Sequence, residues 1–577
     1  MANNINKCAP PLMALVSRLL FALALYLPTV DALLQASVNT RLWQVAIWGA
    51  LISLAPALLP RKLFLASLAL VWIISPLVMG LLGYIALDGI PPSIENVSQT
   101  IHEADISESI SAFQLALHAR GFGWWVAIYF ALLLTASILA GVYRSSEDKI
   151  KKLRNGVLCA CIMSLAVGSL GNEFLKQSLP PWVLNHSEIR MTLAGNLYLI
   201  VLFEILDNTL GDAMYVTPIK DSKNLGGRHT QAHEKTHITA PTLSVLVIGE
   251  SMRANALGPG TANRGIWSKE LNERVKAGLA AWLPPTCAAH DSTSMSVPAL
   301  ITGTPPNRLT DGAAWTNSEA QTAPTGLSRL KSAGYDIGWV ASGAQGVYAG
   351  PEITGGNAFL WYSPMDYYLS GETSSFDEEL LPMASGFLNP MTVQGYQGKP
   401  KALVIHIFGS HFRYEDRYPK SLFDPEPDNL SREELQTLHY NRANEYGAKI
   451  LTGVAQMLDR VKAPAYAVYI SDHGENLISD HNGLLGHVGA RTSLAADLVP
   501  VLVMWNEAAR ASGRPQRVLA EVTKASRLAQ TDVYHVWMSL SGLEATATVH
   551  PTKTPLVFGA LHVGDKFTAI PCSTLQP

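Results

Sequence analysis

Charge is scarce in this sequence. Asp, Glu, Lys and Arg make up only 15% of its 577 residues, and they nearly cancel, leaving a net charge of −3. No global positive field exists to gather nucleic acid. Cysteine is thin as well: Cys8, Cys159, Cys161, Cys287 and Cys572 show no CxxC pair and no zinc-finger spacing. No internal repeat and no low-complexity tract occurs, which excludes repeat arrays and compositionally biased scaffolds. What the chain has instead is apolar residues, 48% of the total, high for a soluble protein, in a length too great for one domain of roughly 150 residues.

The apolar residues are concentrated before residue 175. Runs near 11–30, 43–59, 63–87, 122–143 and 156–172 predict a transmembrane domain of five helices over 1–175. Lys7 precedes the first run, Arg61 and Lys62 fill the turn between the second and third, and Arg144, Lys149, Lys151, Lys152 and Arg154 separate the fourth and fifth. The 89–120 loop carries Glu95, Glu103, Asp105 and Glu108 against Arg120. Positive loops stay cytoplasmic, so the chain after 172 is expected outside the cytoplasm. Ile106, Ile110, Phe113 and Leu117 step by three and four, as in a helix lying on the membrane or packed on the bundle. Asn196–Leu206 is apolar but short and holds Glu204, so 176–241 reads as an interfacial helix followed by a linker.

From 242 to 577 the pattern changes. Short apolar runs at Leu243–Gly249, Ile337–Ala341, Ala402–Phe408, Ala465–Ser471 and Pro500–Trp505 alternate with helical stretches such as Arg432–Val461, which Ser431 opens. Continuous apolar strands separated by helices predict a mostly parallel sheet covered on both faces. Leu556–Leu561 and Lys566–Ile570 flank Gly564-Asp565 and predict a terminal hairpin. In parallel sheets ligands sit beyond the carboxyl ends of the strands. There the chemistry-bearing residues gather: Glu250 and Ser251 after the first run, Gly409, Ser410 and His411 after the third, Asp472 and His473 after the fourth. Two carboxylates and an imidazole at neighbouring strand tips form a donor set for a borderline cation such as zinc. Asp291, Ser292, Thr293, Ser294 and Ser296 precede an apolar run that can begin a helix, whose amino end receives phosphate. A hydroxyl there, bound to zinc, loses its proton more easily and attacks phosphorus.

Five motifs in one order complete the pattern: VIGESMRANALGPGTANRG (247–265), STSMSVPAL (292–300), FGSHFRYEDRYP (408–419), SDHGEN (471–476) and LLGHVGAR (484–491). The chain resembles the membrane-bound phosphoethanolamine transferases that modify lipid A and lipopolysaccharide core, within the alkaline phosphatase/sulfatase superfamily. The resemblance implies an alkaline-phosphatase-like α/β domain in the periplasm, carried by a multi-pass anchor in a bacterial inner membrane. It implies a zinc centre of one or two ions, with Glu250, Asp472, His473 and Thr293 on the metal and His411 and His487 near the phosphoryl group. Aligned on Ser296-Val297-Pro298 without a gap, Asp291 falls at the nucleophile position; a shift of two residues brings Thr293 there, with Ser292 the alternative. The implied reaction has two steps. Thr293 attacks phosphatidylethanolamine and takes up phosphoethanolamine, which then passes to a lipid A or core-sugar acceptor. Partners would be the donor lipid, the lipopolysaccharide and the bilayer, with no nucleic acid.

Other signals carry less. His233–His237 matches HExxH, but Gly226, Gly227, Thr230, Thr236 and Pro241 surround it where that motif needs a helix. Cys287-Ala288-Ala289-His290 is not the CxPxR segment a sulfatase uses to make formylglycine. Cys287 and Cys572 both lie in the expected exported domain, as a disulfide or as two free thiols. A same-fold transferase moving another head group, such as phosphoglycerol, and a non-enzymatic membrane receptor stand as rival functions.

Overall fold

A computed structural model describes residues 16–26, 57, 59–88, 122–142, 238, 240–258, 265–291, 293–306, 325–342, 367–370, 376–480, 486–487, 493–543, 549–559 and 568–575. The chain divides into two compact units, Met1–Val216 and Thr217–Pro577. The expected spans at 156–172 and, but for 57 and 59, at 43–59 lie outside the described residues, as do the 106–117 and 196–206 segments and His233–His237.

In the first unit two apolar helices, α1 (Arg61–Asp88) and α2 (Phe122–Val142), coincide with the third and fourth expected spans. Over their described side chains neither is long and apolar enough to cross a membrane. Helical residues 16–26 pack with them. Arg18, only 4% exposed, donates to the carbonyls of Ala57 (2.6 Å) and Leu59 (2.7 Å) and lies over the Phe64 ring. A cation inside the first expected span is thus satisfied by orphan carbonyls, as at a helix carboxyl end. Ser17 donates to Ala136 O, and Ser75 shares a hydrogen bond with Tyr129. Leu63, Ile73, Leu134 and Ile138 face outward, each more than half exposed.

The second unit is built on a sheet of seven strands: β1 (Leu243–Gly249), β2 (Ala280–Trp282), β4 (Asp336–Ala341), β5 (Tyr367–Ser370), β6 (Lys401–His406), β7 (Ala465–Ser471) and β9 (Val501–Trp505). Their spatial order is β2-β9-β7-β1-β6-β4-β5. The strands from β7 to β5 are mutually parallel, but β9 runs antiparallel to β7, and β2 antiparallel to β9. The expected parallel direction of the Pro500–Trp505 run is therefore corrected, and the sheet is mixed. A parallel return needs a long crossover, usually a helix. Between β7 and β9 the helices among the described residues are the short turn Ile478–Asp480 and the four-residue Leu494–Asp497, neither as long as a crossover helix. β5 and β2 were not anticipated, both being short edge strands. A small sheet of β3 (Thr286–Cys287), β8 (Leu498–Val499) and β10 (Leu528–Ala529) lies beside the larger one in the chain, and β11 (Leu556–Gly559) pairs antiparallel with β12 (Thr568–Pro571) as the expected hairpin.

Side chains of β1 alternate between two cores. Leu246 and Ile248 join Val297, Leu300, Val533 and Trp537, from helices α3 (Thr293–Thr302) and α5 (Gln530–Leu540). Val245 and Val247 join Tyr440, Ala443, Ile450 and Leu451 of helix α4 (Arg432–Arg460). Both faces being covered, a strand must be apolar throughout, and that is why these runs read as continuous. α4 starts where Ser431 predicts: its Oγ accepts from Glu434 N, while Glu434 accepts from Ser431 N.

Cys287 and Cys572 form a disulfide across a sequence separation of 285 residues, their Cα atoms 6.2 Å apart. It ties β3 to the segment after β12. Replacing both cysteines with serine is expected to lower stability by about 2–4 kcal/mol, read as a fall in thermal midpoint; an equal midpoint in strong reductant would show that the thiols are not paired.

Candidate active site

Register brings the carboxylates together. Gly249 of β1 pairs with Ser471 of β7, so the next residues, Glu250 and Asp472, emerge at adjacent strand tips, and Asp472 N donates to Gly249 O. The tip after β6 is pressed against them: Ser410 N and Oγ both donate to Glu250 O at 3.0 Å. Gly409 permits this with φ +54°, and a Cβ there would lie 2.8 Å from Glu250 O. Asp377 holds the same turn by accepting from Phe408 N and Gly409 N. Gly474 has no room for a side chain either, since a Cβ would meet Ala495 O at 2.1 Å.

The resulting cluster is fully buried. Thr293 Oγ1 donates to Glu250 Oε2 (3.1 Å) and lies 3.2 Å from His473 Nε2. That nitrogen is also 3.2 Å from Glu250 Oε1 and 3.3 Å from Asp472 Oδ2. Asp472 Oδ1 accepts from Ser251 N and His473 N, whereas Oδ2 has no hydrogen-bond partner among the described residues. His473 Nδ1 donates to Gly474 O at 2.8 Å. Burial lowers the pKa of His473, so the ring is neutral and its Nε2 lone pair faces carboxylate oxygens. Burial first, and Asp472 second, hold Glu250 well above the usual carboxylate range. A cation among these donors would take the place of the proton on Glu250 and offset the cost of burying them together. The donors Glu250, Asp472 and His473 lie close enough together to share one ion, and they fit zinc in number and type. The Nδ1–H to carbonyl bond fixes the tautomer such a ligand needs.

Two further imidazoles stand beside the cluster. His473 and His487 have centroids 4.1 Å apart, and those of His411 and His487 are 5.7 Å apart. His487 Nδ1 donates to Glu475 Oε2 at 3.1 Å. Burial alone pushes His487 down, but Glu475 outweighs it and raises the pKa to about 9. His411 stacks on Phe408 and donates to Phe412 O; burial, then the charge of His487, holds it well below the ordinary value. The pair is poised in opposite senses, one charged and one neutral. Glu250, His411 and His487 make a second group of metal donors.

All six expected site residues thus come together, from five separate stretches of chain. Of the alternatives, Asp291 of the ungapped alignment pairs with His290 at 3.0 Å and its charge reaches His487, and Ser292 lies outside the described residues. Two participants had no assigned role. Glu475 stood within a quoted motif, and its charge three residues after Asp472 was the available signal. Gln530, the first residue of α5, left no trace in the sequence. Its amide accepts from Ala289 N and donates to Ser296 Oγ and Asp472 O, while Ser296 Oγ donates to Asp472 O. It ties the Thr293–Ser296 segment to the tip of β7.

The sequence profile of the sulfatase family matches residues 242–543. The chain belongs to the sulfatase family. Within this family it is similar to phosphoethanolamine transferase EptC of Escherichia coli K12, 24% identical over 231 residues, and to phosphoethanolamine transferase CptA of Salmonella typhimurium, 22% identical over the same length. Each match takes in 38% of this chain and 38% of the relative, so well under half of those proteins is spanned. Among solved structures, the C-terminal periplasmic domain of E. coli EptC matches at 21% identity and a TM-score of 0.47, covering 59% of this chain and 95% of that one. The integral membrane protein EptA of Neisseria meningitidis matches at 16% identity and a TM-score of 0.49, covering 92% and 95%. The sulfatase-family domain here has a threonine, not a cysteine, at the helix start beside the carboxylates.

Asp472→Asn removes one anion from the cluster and is expected to cut zinc retained through purification by about tenfold or more, measured by elemental analysis against the parent. In metal-free protein, His487 is expected to stay protonated up to about pH 9. The stabilisation from its Glu475 partner is complete below the ordinary histidine pKa and is lost as pH rises through about 9. Glu475→Gln should lower the His487 midpoint from about 9, because burial is then opposed only by the charges of Asp472 and Asp291; NMR titration of the ring reads it.

Proposed function

We propose that this protein is a membrane-bound, zinc-dependent phosphotransferase that moves phosphoethanolamine from phosphatidylethanolamine to a lipid A or core-sugar acceptor of lipopolysaccharide. The observation that carries this reading is the position of Thr293 Oγ1, within hydrogen-bond distance of both Glu250 and His473 inside the metal donor set. The order of the five motifs and the names of the curated relatives support the head group. When bound by Glu250, Asp472, His473 and Thr293, zinc would supply Lewis acidity that lowers the pKa of the threonine hydroxyl.

The residues then divide the work. Thr293 Oγ1 attacks phosphorus, a new P–O bond forms, and the bond to the diacylglycerol oxygen breaks. Glu250 Oε2, which already accepts from Thr293, lies in reach of its proton. His487, charged beside Glu475, donates to the departing oxygen; His411, neutral, can accept the proton of the incoming acceptor hydroxyl in the second step. α3 begins at Thr293, and a helix amino end offers free N–H groups to phosphoryl oxygens. Gln530 and Ser296 keep the threonine segment fixed while its load changes.

A lipid donor explains the first unit. Its outward apolar side chains, Leu63, Ile73, Leu134 and Ile138, are what a hydrocarbon environment covers. With five spans and positive loops inside, the 242–577 domain would stand in the periplasm of a bacterial inner membrane, where a disulfide forms and the donor head group is met at the bilayer surface.

The test is a covalent adduct. Incubation of purified protein with head-group-labelled phosphatidylethanolamine should place phosphoethanolamine on the tryptic peptide containing Thr293. Thr293→Ala should abolish the adduct and lower turnover by about a thousandfold or more, while Ser292→Ala leaves the adduct in place. A phosphoglycerol mass on that peptide, from a phosphatidylglycerol donor, would change the head group. No adduct from any phospholipid, with metal retained, would overturn the reading in favour of a receptor.

A further inference from the structure

Apart from the metal cluster, the second unit contains a cavity of about 440 Å³ whose lining includes Glu521, Lys524, Arg527, Thr552, Lys553 and Ser573. That volume suits a small polar ligand. Its charge is positive. Lys524 pairs with Glu521 at 2.7 Å, Arg527 gives one guanidinium nitrogen to the Cys572 carbonyl, and Lys553 has no carboxylate partner among the described residues. Among the described residues, Arg527 and Lys553 thus lack a carboxylate partner, and hydroxyls of Thr552 and Ser573 lie in the same lining. A lining rich in donors and poor in anions recognises phosphate esters, with hydroxyls left over for a sugar.

The cavity is built rather than incidental. Asp532 accepts from Thr552 Oγ1 (2.6 Å), Thr552 N and Ala529 N, pinning one wall to the start of α5. Arg527 leads directly into β10, whose Leu528 and Ala529 pair with Thr286 and Cys287 of β3. The next residue is Gln530, which holds Ser296 and Asp472 O. Cys572, also in the lining, is bonded to Cys287, six residues before Thr293. Cavity and nucleophile segment thus share a short, covalently closed framework.

We propose that this cavity binds a phosphorylated saccharide, through Lys553, Arg527 and Lys524 on the phosphate and the neighbouring hydroxyls on the sugar. As an anchor for a second phosphate of the acceptor, away from the group that receives phosphoethanolamine, it rests on the function proposed above; as an anion site it does not. The experiment uses the full chain in detergent and the exposed double variant Lys524→Ala/Lys553→Ala. Calorimetric titration with glucose 6-phosphate should show binding that the double variant weakens about tenfold, inorganic phosphate binding more weakly and glucose not at all. With a phosphorylated acceptor the variant should raise KM by about tenfold while kcat changes by less than about twofold. The proposal fails if glucose 6-phosphate binds no better than glucose, or if parent and variant bind it alike. It also fails if the variant loses affinity only for vesicles containing phosphatidylglycerol, which would assign the lysines to the membrane surface. The titration needs no turnover, so an absence of transferase activity would count against the proposed reaction while leaving this site to be judged by binding.

Discussion

Two carboxylates and the lone pair of a neutral imidazole meet in a space from which water is absent. Glu250, Asp472 and His473 are each 0% exposed, and their acceptor atoms lie about a hydrogen-bond length apart. Assembling such a group costs free energy that the apolar core must supply, unless a divalent cation sits among them. The rest of the second unit is arranged around that requirement. A parallel β1/β7 register delivers the two acids to one edge, glycines at 409 and 474 let neighbouring backbone close over them, and Gln530 and Ser296 bring the hydroxyl of Thr293 alongside. A hydroxyl in this position lies within hydrogen-bond reach of both a carboxylate and an imidazole.

The electrostatics beside the cluster show how one fold sets two like residues to different tasks. His411 and His487 are near neighbours, yet the charge and hydrogen bond of Glu475 raise the pKa of His487 while burial and its neighbour's charge lower that of His411. His411 is buried against Phe408 with a backbone carbonyl and the charge of its neighbour for company. Their opposite poise follows from what each ring touches, not from their distance to the reacting atoms.

Much of the site was legible in the sequence, because the residues that carry it follow continuous apolar runs. Glu250, His411, Asp472 and His473 could be placed at strand tips from hydrophobic patterning, and Ser431 announced its helix through a capping box. What stayed hidden has physical causes. The direction of β9 is not written in its own composition, which is as apolar as that of a parallel strand. β5 and β2 are edge strands too short to show a period. Gln530 acts through contacts with residues 234 and 58 positions away, and no local pattern encodes such a partnership. Between Thr293 and Ser292 spacing alone gave no decision; hydrogen-bond reach to Glu250 favours Thr293.

The bond between Cys287 and Cys572 has a consequence for how the protein comes into being. One thiol stands just ahead of the nucleophile segment and the other near the far limit of the second unit, 285 residues later. Nearly all of that unit must be synthesised before the two can meet. The covalent tie six residues ahead of Thr293 can therefore close only once nearly the whole unit exists, which makes the supply of oxidant one requirement for completing it.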